Sequence, residues 1–378
     1  MNAGRITFYR LAAVATLALF GCGGGNAPNA AVPQLSNQSA CSPGPCLHAL
    51  STTSVTGAVA RSYAVADLGT LGGNSSAGQA INGTAQVTGY ASAGSGAVEA
   101  FVSSGGHMKN LGTLGGSTGL GNGINAGGIV AGYATNSRGT YRAFVSSGTG
   151  LKDIGDLGGG QAVAYALNDL GQIVGSSVTR AGDNDPFVYK NGIMTDLGTL
   201  GARGSGSYHT AQGINNAGQI VGTSYNALGN FLAVLWTHGK IQSLGTLGGD
   251  WSQAFAINGK GQVTGQAYTR NNLQAHAFLW SAGRMADLGT LPSSSYSAGY
   301  AINSSGTIVG RADLSTGGTL LVYHAFVYNG TKMLDLNTMI PPGSHWVLDA
   351  ATGINDAGLI AGYGELNGQQ RAYLLTPH

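Results

Sequence analysis

Residues 67–73 read D-L-G-T-L-G-G, and residues 214–222 read I-N-N-A-G-Q-I-V-G. Both strings return along the chain. Relatives of the first begin at Asp67, Asn110, Asp153, Asp196, Ser243, Asp287 and Asp335, at spacings of 43, 43, 43, 47, 44 and 48 residues. Relatives of the second carry their Asn at Asn82, Asn125, Asn168, Asn215, Asn258, Asn303 and Asn355. A third string, A-F-[LV]-[WY] or a variant, places Phe101, Phe144, Phe187, Val234, Phe278, Phe326 and Tyr373. Each series has seven members, so the chain repeats one module seven times, and the fold must be built from that module.

One period holds four apolar stretches. In the fourth they are A-Q-G-I-N (211–215), Q-I-V-G-T-S (219–224), L-A-V-L-W (232–236) and I-Q-S-L-G-T-L (241–247). Asn-x-x-Gly joins the first two, and a short loop with Gly239 joins the last two. Short strands joined by Gly and Asn turns read as hairpins. Four strands per module match a propeller blade. The apolar runs are continuous rather than alternating, as in sheets covered on both faces. A parallel β-helix is the rival architecture, but its coils are shorter than these modules. The predicted fold is therefore an all-β, seven-bladed β-propeller with four-stranded blades. Its ends predict how it closes. The repeat region opens with a lone fourth strand within residues 62–71 and ends with a third strand, residues 371–375, that lacks a fourth. Pairing the two would close the ring and remove its free edges.

The composition agrees. Gly supplies 66 of 378 residues and charged residues only 8%, while 43% are hydrophobic. Disorder needs low hydrophobicity and high net charge; many tight turns need Gly. The formal charge is +2. If the segment bearing Arg5 and Arg10 is removed, fifteen bases face fifteen acids. A neutral chain offers no dense cationic face for nucleic acid.

The first residues read as an export signal. Arg5 and Arg10 precede L-A-A-V-A-T-L-A-L-F (11–20), an apolar run that suits a signal-peptide core and is too short to span a bilayer. Leu19-Phe20-Gly21-Cys22 resembles the lipobox of bacterial lipoproteins. That resemblance implies removal of residues 1–21, lipidation of Cys22 and, with Gly23 following, sorting to the outer membrane or cell surface. Phe20 is bulkier than the lipobox norm. Residues 22–61 form a tether rich in Gly, Pro, Ser and Asn. It holds Cys41 and Cys46 in C-S-P-G-P-C, and an oxidising compartment predicts a disulfide between them. His48 alone is too few further ligands for a metal there.

The D-L-G-T-L-G-G string, the I-N-x-x-G-Q-I-V-G string and the His-Ala-Phe strings at His276–Phe278 and His324–Phe326 resemble the HAF-family extracellular repeat of bacteria. The likeness covers residues 62–378 and implies an exported repeat protein. It brings no substrate, cofactor or catalytic residue. The chain departs from it at Glu99, Arg142, Asp185, Leu232 and Arg371, which stand where the family has His.

No residue set reads as catalytic, and none calls for a metal or cofactor. The recurring Asp and Asn fit turn capping, since Asn110 and Ser243 replace the Asp. Gly115-Gly116-Ser117-Thr118-Gly119 matches G-x-S-x-G, but in an inter-blade loop without the strand and helix that a nucleophile elbow needs. Gly121-x-Gly123 lacks a βαβ unit, and Ala181–Pro186 offers too few carboxylates for Ca²⁺. The turns within the I-N-x-x-G hairpins are tight, whereas the opposite loops vary and carry Tyr208, His209, Trp251, Arg270, Tyr296, His345 and Trp346. Loops on a rigid scaffold concentrate binding residues. Aromatics with few charges suit a sugar ring or a protein partner; Trp251 and Trp346 would otherwise plug gaps between blades. The reading is a binding or scaffold module at the cell envelope. The alternative is a polysaccharide-cleaving enzyme, which needs two carboxylates about one bond, drawn from Glu99, Asp156, Asp183, Asp185, Asp250, Asp313, Asp349 and Glu365.

Overall fold

A computed structural model describes residue 60 and residues 62–378, apart from 148–149, 202–207 and 315–321. The described residues all belong to one compact unit. The segment expected to be an export signal, most of the expected tether and Cys22, Cys41 and Cys46 lie outside the described residues.

The described residues form 28 strands and two short 3-10 turns. Five sheets have four strands each. A sixth has eight, and its two halves meet at one parallel pair, Val98 opposite Thr118. In module four the strands are Thr210–Ile214, Ile220–Tyr225, Phe231–Thr237 and Lys240–Gly245. These are the four stretches expected, each within a few residues. The third strand carries the module's anchor into the core: Phe101, Phe144, Phe187, Val234, Phe278, Phe326 and Tyr373 are all fully buried.

The first strand differs from expectation. It spans Gly72–Ile81, Gly115–Ile124, Gly158–Leu167 and Gly248–Ile257 in four modules. The Gly-Gly of the D-L-G string thus begins a strand rather than occupying an inter-blade loop. The glycines are there because backbones meet. Gly72 has φ +97°, and a Cβ on Gly73 would come within 2.7 Å of the Ser92 side chain. The ladder tolerates this through register shifts between Gly72 and Ser76 and between Gly78 and Ala80. Gly115–Gly119 is therefore strand, followed by more strand, which is not an elbow context.

The recurring Asn does more than cap its turn. Asn215 Oδ1 accepts from the N–H groups of Ala217 and Gln219, at 3.1 and 3.0 Å. Its Nδ2 donates to Gln219 Oε1 at 2.8 Å and to the backbone carbonyl of Asn258, in the next module, at 3.0 Å. The inter-module bond recurs from Asn82 to Asn125, Asn125 to Asn168, Asn168 to Asn215, Asn258 to Asn303 and Asn303 to Asn355. Asn355 then donates to the carbonyl of Asn82 at 3.1 Å. The series returns to its origin after seven bonds.

The termini of the repeat region meet. Tyr63–Asp67 pairs antiparallel with Gln369–Pro377, with Ala64 opposite Thr376. Leu68 N–H donates to the Ala372 carbonyl at 3.0 Å. Tyr63 is buried in a cluster with Leu336, Leu348, Tyr373 and Leu375.

Strands three and four of a module are tied by the D-L-G residue. Asp67, Asn110, Asp153, Asp196, Ser243 and Asp287 each accept the N–H of the Gly two residues on; Asp335 accepts that of Asn337. The same side chain reaches the residue eleven positions earlier, on strand three, in His276–Asp287 (2.8 Å), His324–Asp335 (2.7 Å) and Arg142–Asp153 (2.8 Å). In the first module the polarity is exchanged, and Asn110 donates to Glu99. Glu99 and Arg142 thus keep a polar pair where modules five and six have His276 and His324. The expected turn role of the recurring Asp holds.

Candidate ligand-binding face

In the four-stranded sheets of modules three to six the hairpins between strands one and two and between three and four share one end. The second-to-third hairpins and the connections between modules share the other, and the sequence-predicted residues lie on that second side. Tyr208, Trp251 and Tyr296 each stand seven residues before the recurring Asn of modules four, five and six. All three keep partial exposure. Trp251 joins an aromatic run across modules four and five. Tyr225 meets Phe231 at 4.8 Å between centroids, Phe231 stacks on Trp251 at 6.1 Å and 25°, and Trp251 meets Tyr268 at 5.1 Å. These four rings are half-buried. Leu228 and Leu273, at the tips of the flanking hairpins, are 84% and 77% exposed.

The other predicted residues part company. His209 is fully buried, which corrects the expectation of an exposed loop histidine. It occupies the position, six before the recurring Asn, that holds Ser76, Ser252 and Ser297, all of them fully buried. Those serines bridge modules: Ser252 Oγ donates to the Gly245 carbonyl at 2.7 Å and accepts the Ala233 N–H at 2.9 Å. His209 Nδ1 accepts the Tyr225 N–H at 3.3 Å, and its ring meets Tyr225 edge-on. Tyr208 turns inward, its hydroxyl 2.8 Å from that of Tyr165. Trp346 meets the buried Tyr373 edge-on at 5.9 Å and packs on the core beside the closing strands. It acts as the gap-filler that the sequence left open. Arg270 and His345 are exposed, Arg270 in the turn Arg270–Asn272 and His345 at φ +63° just before the strand from Trp346. The seven residues therefore do not form one contact set.

A second group centres on Arg311, which sequence reasoning missed. Its guanidinium carbon lies 4.3 Å from the Tyr323 ring centroid, 5.7 Å from that of Tyr300 and 5.8 Å from that of Tyr296. Burial lowers the Arg311 pKa, but the surrounding tyrosines outweigh it and raise it overall. Burial also pushes the Tyr363 hydroxyl up to about 12 and holds Tyr300 well above its ordinary range. Only registering the modules would have flagged Arg311. Eight residues after the recurring Asn stand Tyr90, Tyr133, Ser176, Thr223, Gln266, Arg311 and Tyr363, and Arg311 is the one charge.

On the opposite side, a cleft of about 730 Å³ opens between modules four and five, lined by Leu235, Thr237, His238, Lys240, Lys260 and Trp280.

Of the acids that a glycosidase might use, Asp156 is bound to Arg142 at 2.6 Å. Asp313 accepts the N–H groups of Ser295 and Tyr296 at 3.0 and 2.8 Å. For both, burial would raise the pKa, but hydrogen bonds outweigh it and leave the pKa lowered, led by the Gly160 N–H at Asp156 and the Ser294 hydroxyl at Asp313. A general acid needs the reverse shift.

No protein-family model and no curated protein matches the chain. Solved structures do. The β-propeller domain of the Trilobed protease from Pyrococcus furiosus, described with an open velcro topology, aligns at a TM-score of 0.54 and 10% identity over 85% of this chain and 95% of that one. YCF48 bound to D1 peptide aligns at 0.48 and 9% over 84% and 95%. TolB from Acinetobacter baumannii aligns at 0.38 and 13% over 66% and 63%. With its four-stranded sheets, the described chain is an all-β protein of the β-propeller class. At these identities the likeness concerns fold alone.

Proposed function

We propose that the chain is an exported binding module, a seven-bladed propeller whose ring is closed by Tyr63–Asp67 and whose loop face holds a glycan. The cyclic series of seven Asn bonds and the pairing of the first strand with the last support the closed ring. The single observation that carries the binding reading is the half-buried run Tyr225, Phe231, Trp251 and Tyr268, which keeps part of its ring area exposed. Flat apolar rings suit the faces of sugar rings, and exposed aromatic area of this kind marks interaction sites. A glycan array with the purified protein tests it. Trp251→Ala should lose retained glycans while shifting the melting temperature by only a few degrees. A loss of about 3–5 kcal/mol, as for a buried Trp, or unchanged glycan binding would remove the reading.

We also propose the HAF-type kinship, the Cys41–Cys46 disulfide and a lipid anchor on Cys22, supported by the repeat strings and by the apolar run ending in Leu19-Phe20-Gly21-Cys22. Intact mass of the membrane-derived protein should show two or more acyl chains on a chain beginning at Cys22, because one chain anchors only weakly. An unmodified N-terminus elsewhere would rule the anchor out.

A further inference from the structure

Arg311 lies in the strand Ile308–Leu314 of module six. Among the described residues it enters none of the ion pairs, whereas Arg142 meets two carboxylates and Arg371 approaches Asp67. Its Nε is buried without a hydrogen-bond partner. Its surroundings are tyrosines: Tyr296, Tyr300 and Tyr323 from its own module, and Tyr363, buried, in the next. A cation withdrawn from water and left without a carboxylate is costly. The six equivalent positions in the other modules are neutral, so the fold does not require a charge there.

We infer that Arg311 and its tyrosines form a binding site for the carboxylate of an acidic saccharide, a uronic-acid residue held between modules six and seven. One face of the guanidinium is taken by the Tyr323 ring, and Tyr296 and Tyr363 hydrogen-bond to it; a carboxylate would take the place of these hydroxyls on its edge in bidentate fashion. Tyr296, Tyr300 and Tyr323 retain partial exposure and offer ring faces and hydroxyls, which suit the apolar face and the hydroxyl edge of a sugar. This site is separate from the Trp251 run, and the inference stands or falls without it.

Calorimetric titration of the purified full chain with glucuronic acid, glucose, N-acetylglycine and N-acetylglycinamide tests the assignment. Glucuronic acid should bind saturably, with glucose and N-acetylglycine at least about tenfold weaker and N-acetylglycinamide showing no binding. Arg311→Gln should weaken glucuronic acid by roughly ten- to a hundredfold, the range expected for a charge-assisted contact. Trp251→Ala should leave it unchanged. Arg311→Met provides a second readout that separates lost binding from an unfolded site. It should keep or raise the melting temperature, since an apolar isostere relieves an unpaired buried charge, and still lose glucuronic acid. Absent binding of glucuronic acid, or equal binding by the Gln variant, overturns the site. Equal binding of N-acetylglycine overturns the saccharide assignment. A melting temperature lowered by Arg311→Met makes Arg311 a structural plug and overturns the inference as well.

Discussion

Asn215 has every side-chain polar atom in use. Its carbonyl oxygen holds the turn, and its amide nitrogen holds both Gln219 and the next module. Only the first role could be read from the sequence, because Asn-x-x-Gly announces a turn on its own. The second cannot, because its acceptor is a backbone carbonyl, which any residue supplies. The burial of His209, by contrast, was within reach. Aligning the modules puts it at the position of Ser76, Ser252 and Ser297, and a position that is buried in several copies is buried in the others. What misled was its place in a variable stretch. Asn215→Ala should lower stability by about 1–3 kcal/mol, because buried amide and carbonyl groups lose partners on both sides of the module boundary. Equilibrium urea unfolding measures this. A change under about 0.5 kcal/mol would mean that water replaces the bonds and that the asparagine series does not hold modules together.

At the scale of elements, the four strands of a module were legible from length and punctuation, and their boundaries were not. Gly-Gly at the start of strand one was expected in a loop because glycine weakens a strand interior. Here a close approach of neighbouring backbone at Gly73 excludes a side chain, and the ladder bulges around it. The pairing of strands three and four was hidden for another reason. His324 and Asp335 are eleven residues apart and gain meaning only once the hairpin between them is drawn. That pair predicts a pH dependence. Burial would raise the Asp335 pKa, but the hydrogen bonds from His324 and the Asn337 N–H bring it below the ordinary 3.8. The unfolded chain then binds the proton more readily, so the contribution is fully present above pH 3.8 and is lost as pH falls through the depressed value. Asp156, Asp287 and Asp313 shift in the same direction. Wild-type urea midpoints should therefore drop below about pH 4, where ordinary carboxylates begin to protonate, and Asp335→Asn should flatten part of that slope. An identical slope in the variant would mean that Asp335 titrates alike in both states.

For the whole molecule, the decisive features are the two ends of the repeat region. The neighbouring protease propeller is described with an open velcro topology. Here Tyr63–Asp67 lies against Gln369–Pro377, which pairs the orphan fourth strand at the start of the repeat series with the third strand of its last module. If this pairing closes a ring, it secures more than one strand. Tyr63 joins the cluster of Leu348, Tyr373 and Leu375, and Leu68 joins that of Phe101 and Ala372, so the segment packs on modules at both ends of the repeat series. Burying two such side chains contributes about 3–6 kcal/mol in total, and removing the segment also bares the hydrogen-bonding edge of Gln369–Pro377, which invites pairing with other chains. A chain beginning at residue 69 should melt well below one beginning at residue 55 and elute from size exclusion as larger species. Because the asparagine series remains intact in the truncated chain, its modules should still give a β-type circular dichroism spectrum at low temperature. Equal melting temperatures and a monomeric truncated chain would show that the first strand adds nothing to the ring, and closure would then have to rest on the remaining contacts between the last module and the first, Asn355 with Asn82, Thr352 with Gly78 and Ala372 with Ser76.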